Sequence, residues 1–168
     1  QSSTRVAGDG EGVVTMGLSQ VWLQGGMREG MSHKTNVELP GSTGTGNETV
    51  DEVADATLRC LLRAVPAAVP GIAFLSGGQS SELASARLNA MHVMFTAPAS
   101  VLPWALTFSF GRALQSPALQ IWGGDDTRRV PAQQALLHRA RCNRAARRGE
   151  YDAAMERNDQ PTAEPVAR

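Results

Sequence analysis

Lysine occurs once in this sequence, at position 34, against fifteen arginines. A guanidinium does not give up its proton in a protein, whereas a lysine amine can, so attack by an amine on a carbonyl carbon falls to this one residue. The product of such an attack on a ketone is an imine, which withdraws electrons from the neighbouring carbons. On a short strand between Gly30 and Asn36, an inward-pointing lysine among apolar side chains is desolvated, which lowers its pKa and raises the fraction able to attack. Ser32 shares its strand face by two-residue alternation, while His33 and Glu29 fall on the other, so Glu29 is no obvious acid or base for it. Taken in its own context, Lys34 reads equally as an exposed lysine in a loop.

A second kind of chemistry sits downstream, in two matching turns that each follow a short apolar run. Leu75-Ser76-Gly77-Gly78-Gln79-Ser80 leads into one helical pattern, and Phe108-Ser109-Phe110-Gly111-Arg112 leads into another. Glycine lets the backbone approach an anion, a helix N-terminus presents unpaired N–H groups with a positive dipole, and Arg112 adds a forked cation. That combination suits a phosphate group. Each turn taken separately is also what a plain strand-to-helix connection looks like, and the sequence does not show that the two face each other.

The elements that must carry these residues alternate. Thr49-Val50-Asp51-Glu52 has the spacing of a capping box, and Val53, Ala56, Leu58, Leu61 and Leu62 give an apolar helical face ending before Pro66. Gly71–Leu75 is a continuous apolar run suited to a strand buried on both faces. A helix from Ser80 to Ala90, a strand from Pro103 to Phe108, a helix from Gly111 through Leu119 and a long helix over Thr127–Arg148 follow, the last with Pro131 tolerable in its first turn. Strand–helix alternation predicts parallel strands with crossover helices, an α/β fold. Val13–Leu23 is loosely helical. Gln1–Gly12 is polar and Gly-rich and reads as disordered, as does the Pro-containing stretch Asn158–Arg168.

Composition excludes several classes. Sixteen basic residues balance sixteen acidic ones, so no net field recruits nucleic acid or an anionic membrane. The most apolar stretch, Val65–Leu75, is broken by Pro66, Pro70 and Gly71, and no membrane span is expected. Cys60 and Cys142 belong to no metal-ligand spacing, and His92 and His138 read as core or solvated histidines, so no metal is expected. A reduced, cytoplasmic setting follows from that cysteine usage. With 168 residues and Gln at position 1, the chain reads as a fragment.

The two turns lie inside longer runs that resemble the class I, Schiff-base fructose-bisphosphate aldolases. Phe74-Leu75-Ser76-Gly77-Gly78-Gln79-Ser80, with Leu88-Asn89-Ala90-Met91 after it, is similar to that family's seventh-strand signature. Pro103-Trp104-Ala105-Leu106-Thr107-Phe108-Ser109-Phe110-Gly111-Arg112-Ala113-Leu114-Gln115, with Trp122-Gly123-Gly124 beyond, is similar to the eighth. Glu29 to Gly41 is similar to the run that carries the family's Schiff-base lysine and places Lys34 at that position. Ser32 and His33 stand where the family has leucines, Thr35 where it has proline, Glu38 where it has an apolar residue and Phe110 where it has tyrosine. Tyr151-Asp152-Ala153-Ala154-Met155 resembles the shorter bacterial ending.

The resemblance implies the C-terminal portion of a TIM (β/α)8 barrel, about its last three strand–helix units, because a whole barrel takes about 250 residues. It divides the chain into a poorly matched segment 1–28, the barrel half 29–155 and a disordered tail 156–168. It implies that Lys34 forms the imine and that Ser76, Gly77, Ser109, Gly111 and Arg112 hold a substrate phosphate. The implied reaction is reversible cleavage of fructose 1,6-bisphosphate to dihydroxyacetone phosphate and glyceraldehyde 3-phosphate in glycolysis and gluconeogenesis. No cofactor is implied, the partner is a phosphorylated sugar, and a homotetramer is the implied assembly. The family's acid/base residues belong to earlier strands, so the piece alone is expected to be inactive. A half-barrel that has lost catalysis and serves as a phosphate-binding or subunit-interaction module is the alternative.

Overall fold

The computed structural model describes residues 3–38, 48–94 and 102–158. The turn expected at Pro40-Gly41 with its loop, and residues 159–168 of the expected 156–168 tail, lie outside the described residues, while 156–158 are helical as part of Met155–Asn158. Three short strands, β1 (Ser32–Asn36), β2 (Gly71–Leu75) and β3 (Ala105–Phe108), form one parallel sheet in that order. Helix α1 (Ser3–Leu23) precedes the sheet; α2 (Val50–Ala64) joins β1 to β2 and α3 (Ser81–Met94) joins β2 to β3. Helices α4 (Arg112–Trp122), α5 (Arg129–Ala146) and the short α6 (Met155–Asn158) follow β3. The parallel α/β arrangement expected from the alternation is present.

Local chemistry explains the best-defined boundaries. The hydroxyl of Thr49 accepts from the Glu52 N–H at 3.2 Å, and the Thr49 N–H donates to Glu52 Oε2 at 2.8 Å, so the predicted capping box is formed at the start of α2. Val65 caps the other end just before Pro66, whose ring cannot continue the helix. The buried stripe of α2 is Val53, Ala54, Thr57, Leu58 and Leu61. Leu62, expected on that stripe, is 45% exposed because its angular position falls past the edge of the packed face.

Two expectations are corrected. Ser3–Gly12 was expected to be disordered, yet it is helical as part of α1. Propensity disfavours so many glycines, but α1 packs against α2 through half-buried Val14 and buried Leu18. Gly10 lies against the Glu38 side chain: a Cβ there would come 2.5 Å from Glu38 Oε1, so the carboxylate would have to swing aside. The second correction concerns β2, which was expected to be covered on both sides.

Among the described residues, only one face of the sheet is covered. Ile72, Phe74 and Leu106 are buried and join Val53, Leu58, Leu61, Leu88 and Met91 in one core between the sheet and the helices. Each fully buried side chain of this size contributes about 1.5–3 kcal/mol. The opposite face carries Ser32, Lys34 and Asn36, all exposed, beside half-buried Ala73, Leu75 and Thr107. Trp104 closes the lower end of β3, donating its indole N–H to the Pro66 carbonyl at 3.0 Å.

Candidate active site

In-register parallel pairing puts Lys34 opposite Ala73, and Ala73 opposite Thr107, in one row across the sheet. Paired residues in such a row share a face, so Lys34 stands on the uncovered side, with Ser32 and Asn36. Two-residue alternation puts Lys34 and Ser32 on one face and His33 on the other, and β1 shows that alternation. His33 is half-buried, and burial lowers its pKa. Lys34 is exposed, so these strands alone do not give it the apolar surroundings expected of an inward-pointing lysine. Glu29 lies in a single helical turn, Arg28–Gly30, before β1 and is exposed at the end of the strand remote from the two turns.

The two turns lie side by side at the C-terminal end of the sheet. Asn36 pairs with Leu75 and Phe74 with Phe108, which sets Ser76 one residue above the Asn36 row and Ser109 level with Leu75. The Ser109 N–H donates to the Phe74 carbonyl at 2.7 Å and so ties the second turn to β2. In the first turn Gly77 and Gly78 take φ of 58° and 83°, a left-handed conformation that other residues adopt at a cost. Gln79 closes the turn through its N–H and its side-chain amide, both on the Ser76 carbonyl at 3.0 and 2.9 Å. Arg87 then holds the other end of the Gln79 amide at 2.8 Å.

Both turns deliver helix N-termini. Ser80 caps α3 by accepting from the Leu83 N–H at 3.2 Å, and the Ser81 hydroxyl donates to the Ala113 carbonyl at 2.6 Å, locking the start of α3 against the start of α4. Gly111 precedes α4 and no side chain caps it. Arg112 is exposed, and a Cβ on Gly78 would lie 3.8 Å from its guanidinium, so the cation of the second turn leans over the glycines of the first. Between these N-termini opens a cleft of about 370 Å³ lined by Gly78, Ser80, Ser81, Arg112 and Ser116, with the carboxylate-bearing Glu82 at its edge.

The structure therefore brings Arg112 and the Ser76-Gly77-Gly78 turn together, with Ser109 and Gly111 in the adjoining turn. Of the five residues expected to hold a phosphate, Arg112 alone lines the cleft; Ser76 is buried, Ser109 half-buried, and Gly77 and Gly111 exposed beside it. Lys34 lies three rows below Ser76, about 10 Å along the strand direction at about 3.3 Å per residue. The arrangement offers an amine at one end of an open trough and a cation with unpaired amides at the other.

Sequence reasoning missed a polar cluster on the far side of α3. Buried Arg139 donates to the Ser81 carbonyl, to Ser85 Oγ and to Glu156, and Tyr151 donates its phenol O–H to Glu156 at 2.7 Å. Burial pushes the Glu156 carboxyl upward, but the hydrogen bonds from Tyr151 and Arg139 and the Arg139 charge outweigh it and leave the pKa below its ordinary value. The Tyr151 phenol moves up through burial and the adjacent carboxylate. Cys60, in the core beneath Glu38, is pushed up to about 12 by burial and that carboxylate. The only sequence signal for the cluster was the four-residue spacing of His138 and Cys142, which lacks a third partner until the chain folds.

A family model described as class-I fructose-bisphosphate aldolase matches residues 11–166. The muscle-type fructose-bisphosphate aldolase of Lethenteron camtschaticum is 47% identical over 123 residues, covering 73% of this chain and 33% of that protein. Fructose-bisphosphate aldolase B of Sparus aurata is 49% identical over the same 73% of this chain and 33% of its own length. The cytosolic fructose-bisphosphate aldolase 6 of Arabidopsis thaliana is 46% identical, again over 73% and 33%. A fructose-bisphosphate aldolase structure from Plasmodium falciparum, in complex with TRAP and a small-molecule inhibitor, superposes with a TM-score of 0.84 at 37% identity, covering 91% of this chain and 43% of that one. The chain thus spans about a third of the length of the relatives it matches.

Proposed function

This chain belongs to the class-I fructose-bisphosphate aldolase family, and from that membership we propose that the whole protein cleaves fructose 1,6-bisphosphate reversibly through an imine on Lys34. In this reading the three strand–helix units are the last three of a (β/α)8 barrel, and the uncovered sheet face is the barrel's interior. Such barrels place their chemistry at the C-terminal ends of the strands. Lys34 Nζ attacks the ketone carbon and water leaves. The imine then draws in the electron pair of the carbon–carbon bond as the aldehyde half departs, and protonation and hydrolysis free dihydroxyacetone phosphate. Ser76, Gly77, Ser109, Gly111 and Arg112 hold the phosphate of that half.

The observation that carries this reading is the placement of Lys34 on the open face, in register with Ala73, below two adjoining glycine turns that converge on Arg112. Phosphate binding at the turns would hold the ketone within reach of the Lys34 amine, which is worth more than the contacts alone because it converts encounter into positioning. A cytoplasmic homotetramer acting on phosphorylated sugars, without nucleic-acid or membrane partners, is the setting proposed with it.

Borohydride reduction in the presence of dihydroxyacetone phosphate tests the proposal. The expected result is a single adduct on Lys34, seen by mass spectrometry and suppressed by inorganic phosphate. No adduct on a folded chain that still binds phosphate would favour the second reading, a half-barrel retained for phosphate binding or subunit contact. That reading draws on the polar Ser32, His33 and Thr35 around an exposed Lys34.

A further inference from the structure

His138 and Cys142 stand one turn apart on α5, and Glu156 of α6 lies against them. His138 Nε2 is 3.3 Å from Glu156 Oε2 and 3.6 Å from Cys142 Sγ, and the three donor atoms all lie within 4.8 Å of one another. Both neighbours converge on the same ring nitrogen. In any one protonation state that nitrogen either donates to the carboxylate or accepts from the thiol. A nucleophilic relay instead places the thiol on one ring nitrogen and the orienting carboxylate on the other, which is not the pairing of these two contacts.

A bound metal ion would use all three donor atoms at once. A tetrahedral ion bound at about 2.0 Å by nitrogen, about 2.1 Å by oxygen and about 2.3 Å by sulfur sets its ligands about 3.4 Å apart for N···O and about 3.6 Å for N···S. The His138–Glu156 separation of 3.3 Å and the His138–Cys142 separation of 3.6 Å match these values, and Cys142 Sγ lies within 4.8 Å of the Glu156 carboxylate. We propose that His138, Cys142 and Glu156 bind a divalent ion of the zinc class, with a water molecule at the fourth position. The mixed nitrogen, sulfur and oxygen set selects against calcium and magnesium, which take oxygen ligands.

The surroundings suit such an ion. Arg139, 3% exposed, is anchored by Ser81 and Ser85 and points its guanidinium at Glu156, while Tyr151 holds the other carboxylate oxygen, so both orient the ligand as outer-shell partners. Thiolate and carboxylate offset the charges of ion and guanidinium down to a single positive charge. Binding transfers the Cys142 thiol proton to solvent, and the 14% and 17% side-chain exposure of His138 and Glu156 leaves a route in. The site lies on the helix side of the molecule, apart from the open sheet face. Its role is to clasp α6 to α5, and it is independent of the imine chemistry.

Cobalt(II) titration of the 168-residue chain gives a direct readout. The expected result is one equivalent bound in tetrahedral geometry with a thiolate-to-cobalt charge-transfer band, retained in Cys60→Ser and lost in Cys142→Ser, with His138→Gln and Glu156→Gln each weakening binding at least tenfold. Absence of the band in the unaltered chain, or its survival in Cys142→Ser, overturns the proposal. X-ray absorption of the zinc-loaded unaltered chain removes dependence on how the variants fold: one sulfur with nitrogen and oxygen neighbours supports the site, and a shell without sulfur sinks it.

Discussion

Lys34 and Arg112 are both exposed cations, and physical chemistry assigns them different tasks. Lys34→Arg keeps the charge and removes the nucleophile, so the borohydride adduct should vanish while phosphate binding persists. Arg112→Ala should do the reverse: phosphate competition should weaken roughly tenfold or more through loss of a charge-assisted hydrogen bond, with stability changed by about 0.5 kcal/mol or less at an exposed site. A joint loss of both readouts in either variant, measured by trapping and by phosphate titration, would show that the two functions are not separable. Glu156 behaves differently again because its folded pKa lies below the ordinary value of 4.5. A depressed carboxylate stabilises the fold above its unfolded pKa and loses that contribution as the pH falls through the folded one. In the metal-free chain, protection of the Tyr151 amide, which donates to Asn89 at 2.9 Å, should therefore fall as the pH drops below the usual glutamate range. In Glu156→Gln that pH dependence should disappear from hydrogen exchange.

Elements were legible where a local signal and the tertiary fold agree. The capping box at Thr49 and Glu52, the run Gly71–Leu75 and the proline stop after Val65 each fix a boundary from a few adjacent residues, and α2 and β2 begin and end there. Thr49→Ala removes the acceptor for the Glu52 N–H and should cost about 1 kcal/mol in denaturant unfolding, with the slope unchanged. Where no local signal exists the sequence is silent or misleading. The start of α1 has no apolar period; its helicity draws on Leu18 meeting α2, a contact that exists only after folding. Leu62 failed for a related reason, since hydrophobicity names the candidates for a buried stripe but the neighbouring helix decides its edge. The cluster of His138, Cys142 and Glu156 lay out of reach because α6 contributes a ligand that has no spacing relation to the other two.

At the scale of the whole molecule, the uncovered sheet face sets what this chain can do. Its residues are Ser32, Lys34, Asn36, Ala73, Leu75, Ala105 and Thr107 around Gly71, and none of them carries a carboxylate or an imidazole. Carbon–carbon cleavage needs a base to take the proton from the departing hydroxyl as well as an imine to receive the electrons, and a positioned acid/base contributes about 10²- to 10⁴-fold. Exposure lowers the yield further, because an amine and a phosphate site open to water act in a high dielectric and hold substrate loosely. The 168-residue chain should therefore form the Lys34 imine with dihydroxyacetone phosphate slowly and release no triose phosphate from fructose 1,6-bisphosphate above background. A coupled assay for glyceraldehyde 3-phosphate, run beside the borohydride trap on the same preparation, separates the two steps. Trapping without cleavage is the expected pair of results. Cleavage that disappears in Lys34→Arg would mean that a base reaches the open face from somewhere other than the strands, and that three strands suffice for the chemistry.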